Sequence, residues 1–124
     1  MNGIKYLLDT NTLIAFFQGN PALAYLKSSN RIEISIITVV EFLTYKQLPE
    51  KDKDLFLEFL NDIVVIDLQT SNKELLNSIV TIRKTFNVKL PDAIIAASAI
   101  ISQATLITND KDFSKITSLE VLSY

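Results

Sequence analysis

Five short apolar runs recur along the chain, and each predicts a β-strand. Residues 32–37 (Ile-Glu-Ile-Ser-Ile-Ile) alternate and are β-branched, as expected of a strand with two different faces. Residues 63–68 (Ile-Val-Val-Ile-Asp-Leu) are almost continuously apolar, which is typical of a strand that a parallel sheet buries on both faces. The predicted strands cover residues 5–9, 32–37, 63–68, 105–108 and 119–122, the last at an edge of the sheet.

Helical patterns fill the intervals between these strands. Residues 71–86 place Leu75, Ile79, Ile82 and Phe86 on one side, the spacing of an amphipathic helix. Pro49 favours a helix start, and the acidic residues after it complement the positive end of the helix dipole. The predicted helices cover residues 13–18, 22–27, 38–47, a segment that begins after Pro49, 71–86 and 92–103, of which the last is strongly apolar and expected to be buried.

Strands that alternate with helices require crossover connections, which give a parallel sheet flanked by helices on both faces. We therefore predict an α/β fold, and the length of 124 residues is that of a single domain over residues 1–124. In such open sheets, ligands bind beyond the carboxyl ends of the strands. The sequence places Asp9 and Asp110 at such ends, which is the first indication of a functional site.

The composition limits the chemistry that this domain can perform. Hydrophobic residues make up 48% of the chain and charged residues 21%, a balance that describes a compact globular protein. The chain has neither cysteine nor histidine, which excludes disulfides, thiolate nucleophiles, sulfur-bound zinc and any mechanism based on an imidazole. Any hydrolysis must therefore depend on carboxylates and bound ions.

The length of the apolar runs indicates whether the chain could cross a membrane or be secreted. The longest runs, such as residues 94–101, are well short of the roughly 20 residues that a membrane span needs. The apolar stretch near the N-terminus is too short for a signal peptide and soon meets a carboxylate. We therefore expect a cytoplasmic protein with no membrane association.

Four carboxylates stand at strand ends, helix starts or turns, where each also has a purely local explanation. Asp9 could cap a helix, and Glu41 fits a capping box that begins at Thr38. Asp92 lies in a first helical turn and Asp110 in a turn, and both positions favour an acid. A parallel fold would gather them at one edge, where like charges persist only if a cation binds or some stay protonated. Oxygen ligands without His or Cys favour Mg²⁺ or Mn²⁺ over zinc.

Each of these four acids lies in a segment with a recognisable motif. The segments are residues 7–14 (Leu-Leu-Asp-Thr-Asn-Thr-Leu-Ile), 35–42 (Ser-Ile-Ile-Thr-Val-Val-Glu-Phe), 90–97 (Leu-Pro-Asp-Ala-Ile-Ile-Ala-Ala) and 106–113 (Leu-Ile-Thr-Asn-Asp-Lys-Asp-Phe). In this order they resemble the four motifs of PIN domains. Each motif alone is weak, whereas four in order are specific. The resemblance spans nearly the whole chain, and its size and motif spacing are similar to those of the toxin ribonucleases of VapBC toxin–antitoxin systems.

The resemblance implies a nuclease that acts on structured or single-stranded RNA, which could be tRNA, rRNA or mRNA. Together with the oxygen ligands, it predicts an endoribonuclease that depends on Mg²⁺ or Mn²⁺. In-line attack by a metal-activated water would leave a 5′-phosphate and a 3′-hydroxyl. The same resemblance implies two protein partners, a second copy of the chain in a homodimer and a cognate antitoxin whose C-terminal segment fills the acidic groove.

Residue roles follow from the matching motif positions. Asp9 and Asp92 are expected to be direct metal ligands. Asp110 is expected to complete the cation site, and Glu41 to hold a ligand water or a second ion. Thr108 resembles a threonine that orients a carboxylate through its hydroxyl, with Asn11 as a further supporting residue. Asp112 is expected to be a helix cap rather than a ligand.

RNA binding has to overcome the net charge of −2, which gives no overall attraction for nucleic acid. Phosphate contacts would then need local cations, which we expect among the basic residues nearest the acidic motifs. Each of these is also explained as part of a solvated charged face. They are Arg83, Lys84, Lys89, Lys111 and Lys115.

Three other functions fit parts of the pattern. A receiver domain would be phosphorylated on an aspartate at a strand end, such as Asp9 or Asp67, but the expected acidic pair and late lysine are missing. A haloacid-dehalogenase-type phosphatase would use Asp9 as nucleophile, but Asn11 stands where most such enzymes have an acid. A PIN scaffold that binds RNA or protein without cleavage is the third, and the complete acidic set argues against it.

Overall fold

A computed structural model describes residues 4–28 and 31–124. The first three residues of the predicted domain and residues 29–30 lie outside this description. Within the described ranges, all strand pairs are parallel, and five strands form one sheet in the order β3-β2-β1-β4-β5. The strands are β1 (Tyr6–Leu8), β2 (Ile32–Ser35), β3 (Val64–Ile66), β4 (Thr105–Ile107) and β5 (Val121–Leu122).

Helices connect the strands, as predicted. The chain alternates between the two kinds of element up to β4, so the α/β class and the parallel sheet are confirmed. The α-helices are α1 (Thr10–Phe17), α2 (Ile36–Leu43), α3 (Glu50–Phe59), α4 (Lys73–Phe86) and α5 (Leu90–Ser102), and 3₁₀ segments cover Pro21–Ser28 and Lys111–Lys115. No helix of the described residues is long and apolar enough to cross a membrane.

The sheet separates two hydrophobic cores. Successive side chains of a strand point to opposite faces. Leu7 and Leu106 accordingly pack with residues of α4 and α5, whereas Leu8 and Ile107 pack with residues of α1 and α3. Helices therefore cover both faces of the sheet, as the alternation of elements predicted. The apolar helix α5 is buried all along residues 93–99, which confirms that expectation as well.

The prediction that residues 63–68 form a strand buried on both faces is wrong. Strand β3 is shorter than predicted and lies at the end of the strand order, where it pairs with β2. Val64 is consequently 52% exposed. An apolar run identifies a strand, but its place in the sheet depends on the order in which the strands pair.

The prediction that a capping box opens a helix at Thr38 is also wrong. Helix α2 begins at Ile36, and the Ser35 hydroxyl caps it by accepting a hydrogen bond from Ile37 N at 3.2 Å. Glu41 therefore lies inside the helix, not in its first turn. The alternating run at 32–37 concealed this boundary because serine is both tolerated at a strand end and favoured as an N-cap.

Other boundaries shift by a few residues. Helix α1 begins at Thr10, where the sequence predicted residue 13, because Asp9 supplies its cap. The predicted helix over 22–27 is a 3₁₀ segment, and Pro49 is the N-cap of α3. Helix α5 begins at Leu90 with Pro91 in its first turn, so Asp92 is the third helical residue.

Candidate active site

Asp9 and Thr108 directly follow two neighbouring strands, at the point where the strand order of the sheet reverses. From β1 the chain continues to β2 on one side, whereas β4 pairs with the other side of β1. Asp9 follows the end of β1, and Thr108 follows the end of β4. The crevice beyond the carboxyl ends at such a switch point is where open parallel sheets bind ligands.

Asp9 is held through both of its carboxylate oxygens. Its Oδ1 accepts a hydrogen bond from Thr12 N at 2.8 Å and so caps α1, and its Oδ2 accepts one from the Thr108 hydroxyl. The side chain is only 5% exposed. Each carboxylate oxygen has a second lone pair. The cap that the sequence predicted for Asp9 is therefore present and does not prevent the carboxylate from binding a cation.

Glu41 reaches the same crevice from α2, the helix that follows β2. The Thr10 hydroxyl donates a hydrogen bond to Glu41 Oε1 at 2.5 Å, and it lies 3.4 Å from the Thr38 hydroxyl. Because Thr10 comes directly after Asp9, this bond connects the residues that follow β1 and β2. Glu41 is half-buried, and its carboxylate is oriented by a neutral donor.

Asp92 lies in the first turn of α5 and is the acid whose electrostatic environment is most perturbed. Burial raises the pKa of Asp92 above its ordinary value, and repulsion by Asp110 raises it further. Lys89 opposes this effect and lowers the pKa, whereas Asp112 and Glu41 add to the rise. The helix start accounts for the position of Asp92, but its neighbours make the charged form costly.

Asp110 and Asp112 approach Asp92 from the turn after β4. Asp110 Oδ1 accepts a hydrogen bond from Asp112 N at 2.9 Å, so Asp110 is the cap of the 3₁₀ segment. The prediction that Asp112 is the cap is therefore wrong. Carboxylate oxygens of Asp92, Asp110 and Asp112 lie within 4.8 Å of one another, the one such group among the described residues. Asp9 and Glu41 stand outside this group of three.

The four acids predicted from the motifs line one recess of about 240 Å³. Asn11 lines the recess too, whereas Thr108 does not line it and contacts it only through its hydrogen bond to Asp9. Sequence reasoning missed the roles of Thr10 and Tyr45 in this recess, because neither differs from an ordinary surface residue until α1 and α2 are placed side by side. The lining residues are Asp9, Thr10, Asn11, Ile14, Glu41, Tyr45, Asp92, Ile95, Asp110 and Phe113.

The predicted RNA-binding cations do not line this recess, and only two of them are placed near its acids. Lys89 is near enough to Asp92 to lower its pKa, and Lys111 lines an adjoining recess with Thr108 and Asp110. Arg83 and Lys84 are exposed in the last turn of α4, and Lys115 is exposed at the end of its 3₁₀ segment. Within residues 4–28 and 31–124, no lysine or arginine lines the carboxylate recess itself.

The donor set of the recess suits a hard divalent cation. Its ligands are carboxylate oxygens, with an amide from Asn11 nearby, and Mg²⁺ and Mn²⁺ prefer such ligands. Burial and then repulsion by the neighbouring acids raise the pKa of Asp92, and a bound cation would relieve that repulsion.

Fold and site together define an α/β domain with a carboxylate-lined recess at the switch point of a parallel sheet. The family model described as PIN domain matches residues 6–119 of this chain, and the chain belongs to that family. No curated protein matches it.

Several solved structures resemble the chain over almost its full length. A chain of a toxin-antitoxin complex from Klebsiella pneumoniae is 30% identical, with a TM-score of 0.77 and coverage of 95% of this chain and 96% of that one. DNA-bound VapBC from Salmonella typhimurium is 25% identical, with a TM-score of 0.78 and 98% of each chain covered. VapBC-1 from nontypeable Haemophilus influenzae is 24% identical, with a TM-score of 0.78 and coverage of 97% and 98%, and shows the shared fold.

These findings argue against the receiver-domain alternative. Asp67, one of its two candidate phosphoacceptors, is an exposed residue just after the edge strand β3 and does not line the carboxylate recess. Asp9, the other candidate, lies among the acids of a PIN domain. The same family membership disfavours the phosphatase.

Proposed function

We propose that this chain is a metal-dependent endoribonuclease and the toxin of a type II toxin–antitoxin system. One observation carries the proposal. Asp9, Glu41, Asp92 and Asp110 come from four separate parts of the chain and line a single recess at the switch point of the sheet. Such a concentration of like charge is costly unless a cation binds or some of the acids stay protonated, and perturbed carboxylates are typical of functional sites.

The residues of the recess divide into two groups by their contacts. Asp92 and Asp110 would hold a divalent cation, with Asp9 as a further ligand whose position is set by Thr12 and Thr108. Asp112 joins this set as an additional ligand, since its carboxylate lies beside those of Asp92 and Asp110. Glu41, oriented by Thr10, would hold a ligand water or a second ion.

A divalent cation in this recess would make a bound water more acidic and stabilise charge on the leaving oxygen. The carboxylates would orient a water for in-line attack on the phosphorus opposite the 3′-oxygen, so that the P–O3′ bond breaks and leaves a 5′-phosphate and a 3′-hydroxyl. Because the chain has no histidine, we assign proton transfer to the carboxylates that line the recess.

The proposed partners follow from the solved relatives. Structures of a toxin-antitoxin complex and of VapBC match this chain over nearly its full length, which supports an antitoxin as the partner. We propose that the antitoxin covers the acidic recess and so blocks access to the cation, and that the chain forms a homodimer.

The test is cleavage of mixed cellular RNA by the purified chain, freed of any partner, in Mg²⁺ or Mn²⁺. Asp92→Asn and an EDTA sample should both lose cleavage. Asp67→Asn is the matched control, because Asp67 is an exposed acid outside the recess. Cleavage that survives EDTA, or that Asp92→Asn leaves intact, would contradict the proposal. Metal binding by the wild-type chain without cleavage of any RNA would favour a non-cutting scaffold.

A further inference from the structure

Tyr45 is the aromatic residue on the α2 side of the carboxylate recess. It follows the end of α2 in a turn in which Tyr45 N donates a hydrogen bond to Phe42 O at 3.2 Å. Its half-buried side chain lines the recess together with Glu41 and Ile14. The Tyr45 hydroxyl donates a hydrogen bond to Gln47 Oε1 at 3.1 Å, which places its polar contact on an exposed neighbour instead of on a carboxylate.

The side chain of Tyr45 borders two recesses. Tyr45 and Ile14 also line a second recess of about 20 Å³ with Leu48 and Pro49, so they form the wall between the two. The aromatic side chains nearby pack against one another, as Phe42 does on Phe56 with ring centroids 4.2 Å apart. Within the described part of the chain, none of the aromatic ring pairs includes Tyr45.

Charge alone does not explain how RNA would be held at this site. The lining contains four acids and, among the described residues, no basic side chain, so a phosphate would depend on a bound cation and on cations outside the lining such as Lys89. Proteins that bind single strands add affinity by stacking bases on aromatic side chains, which works for every base because each has a π-face. The base must be unpaired to reach such a ring.

We propose that Tyr45 is a substrate-binding residue whose ring stacks on an unpaired base next to the phosphodiester bond held at the carboxylates. The inference rests on the proposed nuclease function and adds to it a residue that holds the substrate beside the carboxylates. The Tyr45 hydroxyl contributes little to this binding, since it contacts Gln47 and not the acids.

The experiment compares Tyr45→Ala, Tyr45→Leu and Tyr45→Phe with wild type on a single-stranded RNA oligonucleotide that contains a mapped cleavage site. Leu keeps apolar bulk beside Ile14 but has no aromatic face, and Phe keeps the ring without the hydroxyl. Tyr25→Ala is the control, because Tyr25 is an exposed tyrosine of the Pro21–Ser28 segment and does not line the recess. The readouts are kcat, KM, Mn²⁺ affinity and melting temperature.

Loss of stacking should raise KM for Tyr45→Ala and Tyr45→Leu by roughly 5- to 150-fold, the range that alanine substitution of base-stacking residues produces. Tyr45→Phe and Tyr25→Ala should stay close to wild type, and Mn²⁺ affinity should not change in any variant. A 2-aminopurine next to the cleaved bond should be quenched on binding to Asp92→Asn, and less so when Tyr45→Ala is added.

Two kinds of failure are distinguishable. If wild type neither cleaves RNA nor binds Mn²⁺, the proposed function is wrong and this inference falls with it. If wild type cleaves and the folded Tyr45→Leu variant keeps the wild-type KM, only the stacking role is wrong. A Tyr45→Phe variant as impaired as Tyr45→Ala would also overturn it, because the hydroxyl would then be the group that matters.

Discussion

The Thr108 hydroxyl donates a hydrogen bond to the Asp9 carboxylate across the carboxyl ends of β4 and β1. The same hydroxyl oxygen accepts a hydrogen bond from Asp110 N at 3.0 Å. One threonine thus connects a buried acid of the first motif to the backbone of an acid in the last motif. Asp9 and Thr108 are 99 positions apart in sequence and are adjacent only because β1 and β4 pair.

Replacing Thr108 by Val should therefore destabilise the protein and weaken its activity. Val preserves the shape but leaves the buried Asp9 without one donor, and hydrogen bonds to charged groups contribute about 1.5–3 kcal/mol. Urea unfolding in EDTA would measure the change in the free energy of unfolding. Thr85→Val, at an exposed position of α4, is the control and should change stability by less than about 0.5 kcal/mol. Equal stability of both variants would show that the Asp9 contact contributes nothing.

Without a metal, stability should fall as the pH rises through the titration of Asp92. The pKa of this carboxyl in the folded protein lies above its ordinary value of 3.8, chiefly through burial and then through Asp110. Between these two values the folded state binds more protons than the unfolded state, so raising the pH favours unfolding. Melting temperatures in EDTA from about pH 4 upward should show a decline that is smaller in Asp92→Asn. An identical decline in both proteins would contradict this prediction.

Asp112→Asn should weaken divalent-ion binding. The Asp112 carboxylate lies within 4.8 Å of those of Asp92 and Asp110, so removing its charge takes away one of three adjacent oxygen donors. We expect Mn²⁺ affinity to fall by about tenfold or more, the scale of changes to groups around a metal site. Calorimetric titration would measure it, with Asp54→Asn on the exposed side of α3 as the control. Unchanged Mn²⁺ affinity would show that Asp112 is not a metal ligand.

Thr10→Val should lower activity without unfolding the protein. The Thr10 hydroxyl donates to Glu41 Oε1 at 2.5 Å, and this contact orients a half-buried carboxylate at the edge of the recess. A misplaced group at an active site can cost as much as 10²-fold in rate. RNA cleavage by Thr10→Val, compared with Thr81→Val on exposed α4, would test it. Full activity of Thr10→Val would show that the hydrogen bond from Thr10 to Glu41 does not contribute to cleavage.

Much of the fold and of the acidic site could be predicted from local patterns. Short apolar runs predicted the strands, of which only residues 32–37 alternate, and amphipathic runs predicted the main helices. The chain order of four acidic motifs pointed to one site, since parallel strands bring their carboxyl ends together. The ends of helices were predicted less well where a residue type suits two structural positions. Ser35 ends a strand and caps a helix, and Thr38 with Glu41 fits a capping box that does not form.

The features that local patterns missed are those that depend on which elements become neighbours. Val64 is exposed because β3 lies at an edge, and strand order is not encoded in the strand itself. Asp112 joins Asp92 because a turn after β4 meets the start of α5. Tyr45 lines the recess because α1 and α2 pack together beside it.

The sequence by itself determined the element types, the parallel α/β class and the carboxylate chemistry, because hydrophobic periodicity and residue type act over a few neighbouring positions. Only the tertiary structure decided that Asp110 caps the turn after β4 and that the carboxylates of Asp92, Asp110 and Asp112 lie close together. It also decided that Tyr45 lines the recess with Asp92 and Asp110. Those outcomes depend on distances of a few ångströms between residues far apart in the chain, and such distances are set by the packing of the whole sheet and its helices.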